Sequence, residues 1–100
     1  MKDKLESYLG FARRSRNIIF GAGTCELMMN KGRVKYLIIA EDTADNTKKK
    51  LISQAERMRV PYAVYGLSDD LSRMTGNPGR SVFGITDEHF ADIIRKQIEP

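Results

Sequence analysis

"GRVKYLIIAEDTADNTKKK", residues 32–50, sets two periodicities end to end, and their junction decides the fold. Tyr36 to Ala40 is an unbroken apolar run, the pattern of a strand covered on both faces. Glu41 and Asp42 end it. From there the spacing turns helical: Thr47, Leu51, Ala55 and Met58 form one stripe, Thr43 or Asp42 can cap its start, and Lys48, Lys49 and Lys50 point mostly away from it. A doubly buried strand running into an amphipathic helix is the signature of a layered α/β chain.

The same alternation continues in both directions. Leu5, Tyr8, Leu9 and Ala12 recur at i, i+3, i+4 and i+7 behind a cap at Asp3, which predicts a first helix. Ile18, Ile19 and Phe20 form a short apolar strand that stops at Gly21. Gly23 to Lys31 reads as helix, with Cys25, Met28 and Met29 inward and Gly32 as its stop. Beyond the central block, Val60 to Tyr65 and Ser81 to Ile85 read as strands. Between them Ser68 caps a short helix ending at Gly76. Asp87 caps a closing helix with Phe90, Ile94 and Ile98 in line. Short connections between alternating elements predict a single domain over residues 1–100. Its fold is an α/β three-layer α/β/α sandwich around a central mixed four-stranded sheet.

Composition narrows the function classes. With 41% apolar and 30% charged residues the chain reads as globular. No apolar stretch is long enough to span a bilayer, and the first ten residues lack the apolar core of a signal peptide, so a cytoplasmic protein without a membrane role is expected. One cysteine and one histidine argue against a disulfide, a transition-metal site or a bound cofactor. Charge is unevenly spread. Residues 1–60 hold 13 Lys and Arg against 7 Asp and Glu, a net +6, whereas residues 61–100 hold 4 against 6, a net −2. Such asymmetry suits a polyanionic partner, with nucleic acid ahead of membrane. The cations gather at Arg13, Arg14 and Arg16, at Lys31, Arg33 and Lys35, and at Lys48 to Lys50, with Arg80 alone in a glycine-rich loop.

Two local patterns invite a chemical reading. Gly21-Ala22-Gly23-Thr24 places glycines between a strand and a helix, where backbone can approach an anion and a helix start offers unpaired N–H groups. It fits no nucleotide fingerprint, since Glu26 stands where a dinucleotide loop needs its third glycine, and a plain turn with Thr24 as helix cap accounts for the same residues. Cys25, His89 and Asp87 could be assembled into a thiol enzyme, but nothing in the sequence brings them together and Cys25 lies on an inward face. A non-enzymatic binding protein is the better expectation.

GFARRSRNIIFG, the central block, VPY at Val60 to Tyr62 and GNPGRSVFGITDEHFA, in this order and spanning roughly Leu5 to Ile98, resemble the kink-turn RNA-binding ribosomal-protein family of archaeal and eukaryotic large subunits, most closely its small bacterial YlxQ-type branch. The resemblance implies that the helix start after the glycine turn enters the groove of a sharply bent RNA, with a second contact from the loop before the last strand. The candidate RNA contacts are then Arg16, Asn17, Gly21, Ala22, Gly23, Thr24, Arg33, Lys35, Arg80 and Ser81. Gly21 matches the family's turn glycine. Gly23 falls where asparagine is common, Thr24 where glutamate or glutamine is common, and Met28 where a lysine is found, so base-edge and phosphate contacts are lost here. The expected partner is RNA, ribosomal RNA among the candidates, bound by a monomer beside the ribosome or translation factors. The alternative is a protein-interaction module of the same fold with weakened RNA binding, associated with the translation or transcription machinery.

Overall fold

A computed structural model describes residues 4–99. In chain order the elements are α1 (Lys4–Arg14), β1 (Ile18–Phe20), α2 (Ala22–Asn30), β2 (Tyr36–Ile39), α3 (Asp45–Met58), β3 (Tyr62–Val64), α4 (Ser68–Thr75), β4 (Val82–Ile85) and α5 (Glu88–Ile98). The strands form one mixed sheet in the order β1-β4-β2-β3, with β2 and β3 parallel and both pairs involving β4 antiparallel. The α/β class and the mixed four-stranded sheet are those expected from the sequence.

All four residues of β2 and of β4 are buried, as strands in the middle of a covered sheet must be. Their side chains alternate between two cores. Tyr36, Ile38, Ala40, Phe83 and Ile85 join Leu5, Leu9, Leu71 and Ile94 on the face carrying α1, α4 and α5. Leu37, Ile39 and Val82 join Cys25, Met29, Leu51 and Ala55 on the face carrying α2 and α3. These two cores make the three layers. At the centre of β4, Gly84 is required sterically: a Cβ there would stand 2.9 Å from Ile19 Cγ1 and 3.2 Å from Cys25 Sγ, so its absence lets β1 and α2 close on the sheet.

Several helix starts differ from the sequence reading. The Asp3 cap lies outside the described residues. α3 begins at Asp45 with Ala44 at its cap position and no side-chain cap, so neither Asp42 nor Thr43 serves it. Thr43 is buried instead, its hydroxyl directed at the Ser81 carbonyl at 3.4 Å. Asp42 caps a different helix: its carboxylate accepts from the Ser68 N–H at 2.9 Å and the Ser68 hydroxyl at 2.6 Å. Leu67, not Ser68, occupies the cap position of α4. α2 starts one residue early, with Gly21 at the cap position, so Thr24 is inside the first turn and caps nothing. Asp87 caps α5 as expected, accepting from the Phe90 N–H at 2.8 Å, and Gly76 ends α4 in the left-handed conformation. β3 and β4 are shorter than read, since Val60, Pro61, Tyr65 and Ser81 lie outside the ladders.

α2 and α3 are locked together by a buried side chain absent from the sequence reading. The Gln54 amide nitrogen on α3 lies 3.0 Å from both the Glu26 carbonyl and Asn30 Oδ1, which holds α2 rigid against its neighbour.

Candidate functional site

Because β4 runs antiparallel to β1 and β2, the sheet has two ends, and the candidate residues divide between them. At one end lie the exit of β1, the start of α2, the entry to β4 and the exit of β2. Gly21, Ala22, Gly23, Thr24, Arg80 and Ser81 meet here. The Gly21 N–H donates to the Val82 carbonyl at 2.9 Å, and the Ser81 carbonyl accepts from the Ala40 N–H at 2.8 Å. Ser72 fixes the loop before β4 from beneath, accepting from the Arg80 N–H at 3.0 Å and donating to the Arg80 carbonyl at 2.7 Å.

Gly21 has φ 97° and ψ 148°, a conformation essentially confined to glycine. A Cβ there would stand 3.3 Å from the Arg80 guanidinium, so the glycine turn and the β4 loop form one continuous surface. Gly23 and Thr24 are exposed, and a Cβ at Gly23 would meet nothing within 4 Å. The first turn of a helix leaves its N–H groups without intrahelical partners, and no side chain caps α2. Each of the other four helices has an acidic residue in its first turn, whereas α2 has none. Its positive dipole end is therefore left unneutralised beside Arg80, an arrangement that favours an anion.

Arg16, Asn17, Arg33 and Lys35 lie at the other end of the sheet. Arg16 takes φ 62° in the turn that closes α1, its N–H donating to the Arg13 carbonyl at 3.1 Å while the Asn17 N–H donates to the Ala12 carbonyl at 2.7 Å. The Asn17 carbonyl accepts from the Thr86 N–H at 2.9 Å. The Asn17 side-chain amide donates to Ser15 Oγ at 2.9 Å. Arg16, Arg33 and Lys35 surround a groove of about 500 Å³ with Ile19, Met28, Gly32 and Thr86. The ten candidates are thus two groups at opposite ends of the sheet.

Three of the other clustered cations are engaged by groups of the protein itself. Lys48 binds the Glu41 carbonyl at 2.8 Å and lies 3.9 Å from Asp45, and Lys50 pairs with Glu26 at 3.3 Å. Arg14 covers the Phe11 ring at 4.7 Å.

On α2 the structure also redistributes two side chains. Met28, read as a substitute for a lysine, is half-buried and packs on the second core. Leu27 is 54% exposed and stands one turn beyond Gly23 and Thr24, on the face they share. The helical stripe could have indicated this, because Cys25 and Met29 fix the inward face and Leu27 lies across from them.

The enzyme constellation is separated by the sheet. Cys25 is buried under α2 in one core, while Asp87 and His89 begin α5 on the opposite face. Burial pushes the Cys25 thiol up to about 12, the reverse of what a thiolate nucleophile needs. Among the described residues no group of three acidic, histidine or cysteine side chains could hold a metal ion, and no helix is long and apolar enough to cross a membrane.

Comparison with known proteins agrees with this architecture. The RNA-binding protein YlxQ of Bacillus subtilis (strain 168) is 31% identical over 84 residues, covering 84% of each chain. The RNA-binding protein YlxQ of Enterococcus faecium is 30% identical over 98 residues, covering 98% of this chain and 94% of its own. A Bacillus halodurans protein of unknown function superposes with a TM-score of 0.95 at 29% identity, covering 99% of this chain and 100% of that one. The Giardia lamblia 15.5kD RNA binding protein shares the fold, with a TM-score of 0.78 at 21% identity over 97% of this chain and 87% of that chain. Residues 3–95 match the ribosomal protein L7Ae/L30e/S12e/Gadd45 family, and the chain belongs to it.

Proposed function

We propose that this protein is a non-enzymatic RNA-binding domain that recognises a sharply bent, kink-turn-like RNA through the glycine turn and the loop before β4. The observation that carries the reading is the uncapped start of α2, with no acidic residue in its first turn and Arg80 against Gly21. The names of the two bacterial relatives support RNA as the ligand. Backbone N–H groups and the Thr24 hydroxyl meet base edges exposed by the bend, and Arg80 meets the backbone beside them. Ser81 holds the β4 loop in place through its carbonyl. Such a protein works as a monomer in the cytoplasm, on ribosomal RNA or beside translation factors.

Isothermal titration against a kink-turn hairpin and an unbent duplex of the same length tests the reading. Binding should favour the kink-turn and weaken about tenfold in Arg80→Gln, the effect of losing one charge-assisted contact. Equal affinity for the two RNAs refutes bend recognition.

A second reading, a protein-interaction module, rests on the groove between α1 and α5. There Phe11 is 52% exposed beside Tyr8, Phe90 and Ile93. Salt separates the two readings, since phosphate contacts release counterions and apolar contacts do not.

A further inference from the structure

The groove at the far end of α2 is cationic, and its charges meet no carboxylate. Arg16, Arg33 and Lys35 line it, and no carboxylate does. Among the described residues none of the three forms an ion pair, and the Lys35 ammonium donates to the Gly32 carbonyl at 3.5 Å. The backbone beneath the cations is fixed. The Arg33 N–H donates to the Met28 carbonyl at 2.9 Å, the Lys35 N–H donates to the Ile85 carbonyl at 2.7 Å, and Arg16 is set by the turn that closes α1. Glu88 and Asp92 line a neighbouring hollow with Lys35, Arg59 and Arg95, where cations outnumber them.

A path connects this groove to the glycine turn. Gly23, Thr24, Leu27 and Lys31 are exposed and recur along one side of α2, which at nine residues is about 14 Å long. Glu26, the one acidic residue of α2, is drawn away toward α3 by Lys50. The stripe therefore presents no negative charge to a polyanion lying along it.

We propose that the groove is a second RNA site, which takes the sugar-phosphate backbone of an arm that leaves the glycine turn and runs along the exposed side of α2. Arg16, Arg33 and Lys35 bind phosphates there, while the turn reads the bend. This inference rests on the RNA reading of the turn. It adds that one RNA touches both ends of α2, and that the arm must be long enough to reach the groove.

The test is a set of fluorescein-labelled kink-turn RNAs in which each arm in turn is lengthened two base pairs at a time. Affinity is measured by anisotropy at several salt concentrations, for the wild type and for Arg33→Gln/Lys35→Gln. Both replaced side chains are exposed, so the variant should melt as the wild type does. Lengthening one arm should tighten wild-type binding about tenfold and steepen its salt slope by roughly 2 to 3 units, and the double variant should lose roughly 2 of those units. Tight wild-type binding of the shortest RNA, with no gain from either arm, overturns the groove and leaves the turn reading standing. An equal gain from both arms also overturns it, because that is the mark of a diffuse field. Failure of the shortest RNA to bind removes the turn reading and this inference with it.

Discussion

The two ends of α2 differ in almost every physical respect. The turn end is built from Gly21, Gly23 and Thr24, with one cation, Arg80, and offers backbone donors in a conformation only glycine adopts readily. The groove end is built from Arg16, Arg33 and Lys35, and offers charge on long side chains around an open hollow. An interaction at the first end depends mainly on shape, with Arg80 its one salt-sensitive cation, while one at the second depends on charge and weakens more steeply with salt. A chain with both can be selective at one end and adhesive at the other. Neither end forms without the shared sheet and the helix that spans it.

That common dependence gives the largest expected effect. Ile38 lies at the centre of β2 with no exposure, among Phe83, Ile94 and Leu5. Replacing it with Asp buries an unpaired carboxyl group, a cost of several kcal/mol against a total stability of about 5 to 15 kcal/mol. Ile38→Asp should lose its cooperative thermal transition by circular dichroism and lose RNA binding at both ends together. A cooperative melt at the wild-type temperature would show that β2 is not the core strand.

Gly21→Val separates the ends. Valine at φ 97° is strained whatever the space around it, and its Cβ would press on the Arg80 guanidinium, at a cost of about 1 to 3 kcal/mol. The melting temperature should fall while the transition stays cooperative. Selectivity for the bent RNA should disappear, and weak, salt-sensitive binding through Arg33 and Lys35 should remain. Retained preference for the kink-turn in a protein of lowered stability would show that Gly21 shapes the fold and not the site.

The contrast also accounts for what was legible in the sequence. Tyr36 to Ala40 announced a doubly covered strand because burial on both faces removes every polar residue from the run, and the two cores bear this out. Asp87 was legible as a cap because its partner, the Phe90 N–H, is three residues away. Asp42 was not, since the helix it caps begins at Ser68, 26 residues on, and is brought to it only by the parallel pairing of β2 and β3. Gln54 was hidden for the same reason, its partners being on α2. The division of the candidate contacts between the two ends likewise follows from strand direction, which local periodicity does not encode.

Supplying the missing side chains at the turn end is the next effect in size, and it has the opposite sign. Gly23→Asn adds an amide suited to base edges at an exposed position with open space around it. Leu27→Lys adds a cation one turn further on the same exposed side. Together they should strengthen kink-turn binding by on the order of 1 to 3 kcal/mol, measured by isothermal titration at matched melting temperatures. Met28→Lys is the control. Met28 packs on the second core, so a lysine there should lower stability without the same gain. If Met28→Lys strengthens binding and Leu27→Lys does not, the exposed face of α2 has been misassigned.

The smallest effect concerns Asp42, which ties the exit of β2 to the start of α4 beside the turn end. The Ser68 hydroxyl and then the Ser68 N–H hold its carboxylate below the ordinary value of 3.8, with Lys48 adding to the shift. A carboxyl group whose folded-state value is depressed stabilises the fold while it is ionised, and its contribution is lost as pH falls through that depressed value. Asp42→Asn keeps an oxygen facing the Ser68 N–H but removes the charge. Its melting temperature should therefore lie slightly below that of the wild type at neutral pH. The gap should hold down to about pH 5 and close as pH falls below the ordinary carboxylate value, while the groove end, which has no such carboxylate, keeps its salt-dependent binding throughout the range where the fold persists. Melts at steps from pH 7 to pH 3 decide the matter: a gap that stays constant to the lowest pH would assign the effect to lost hydrogen-bond geometry and not to the Asp42 charge.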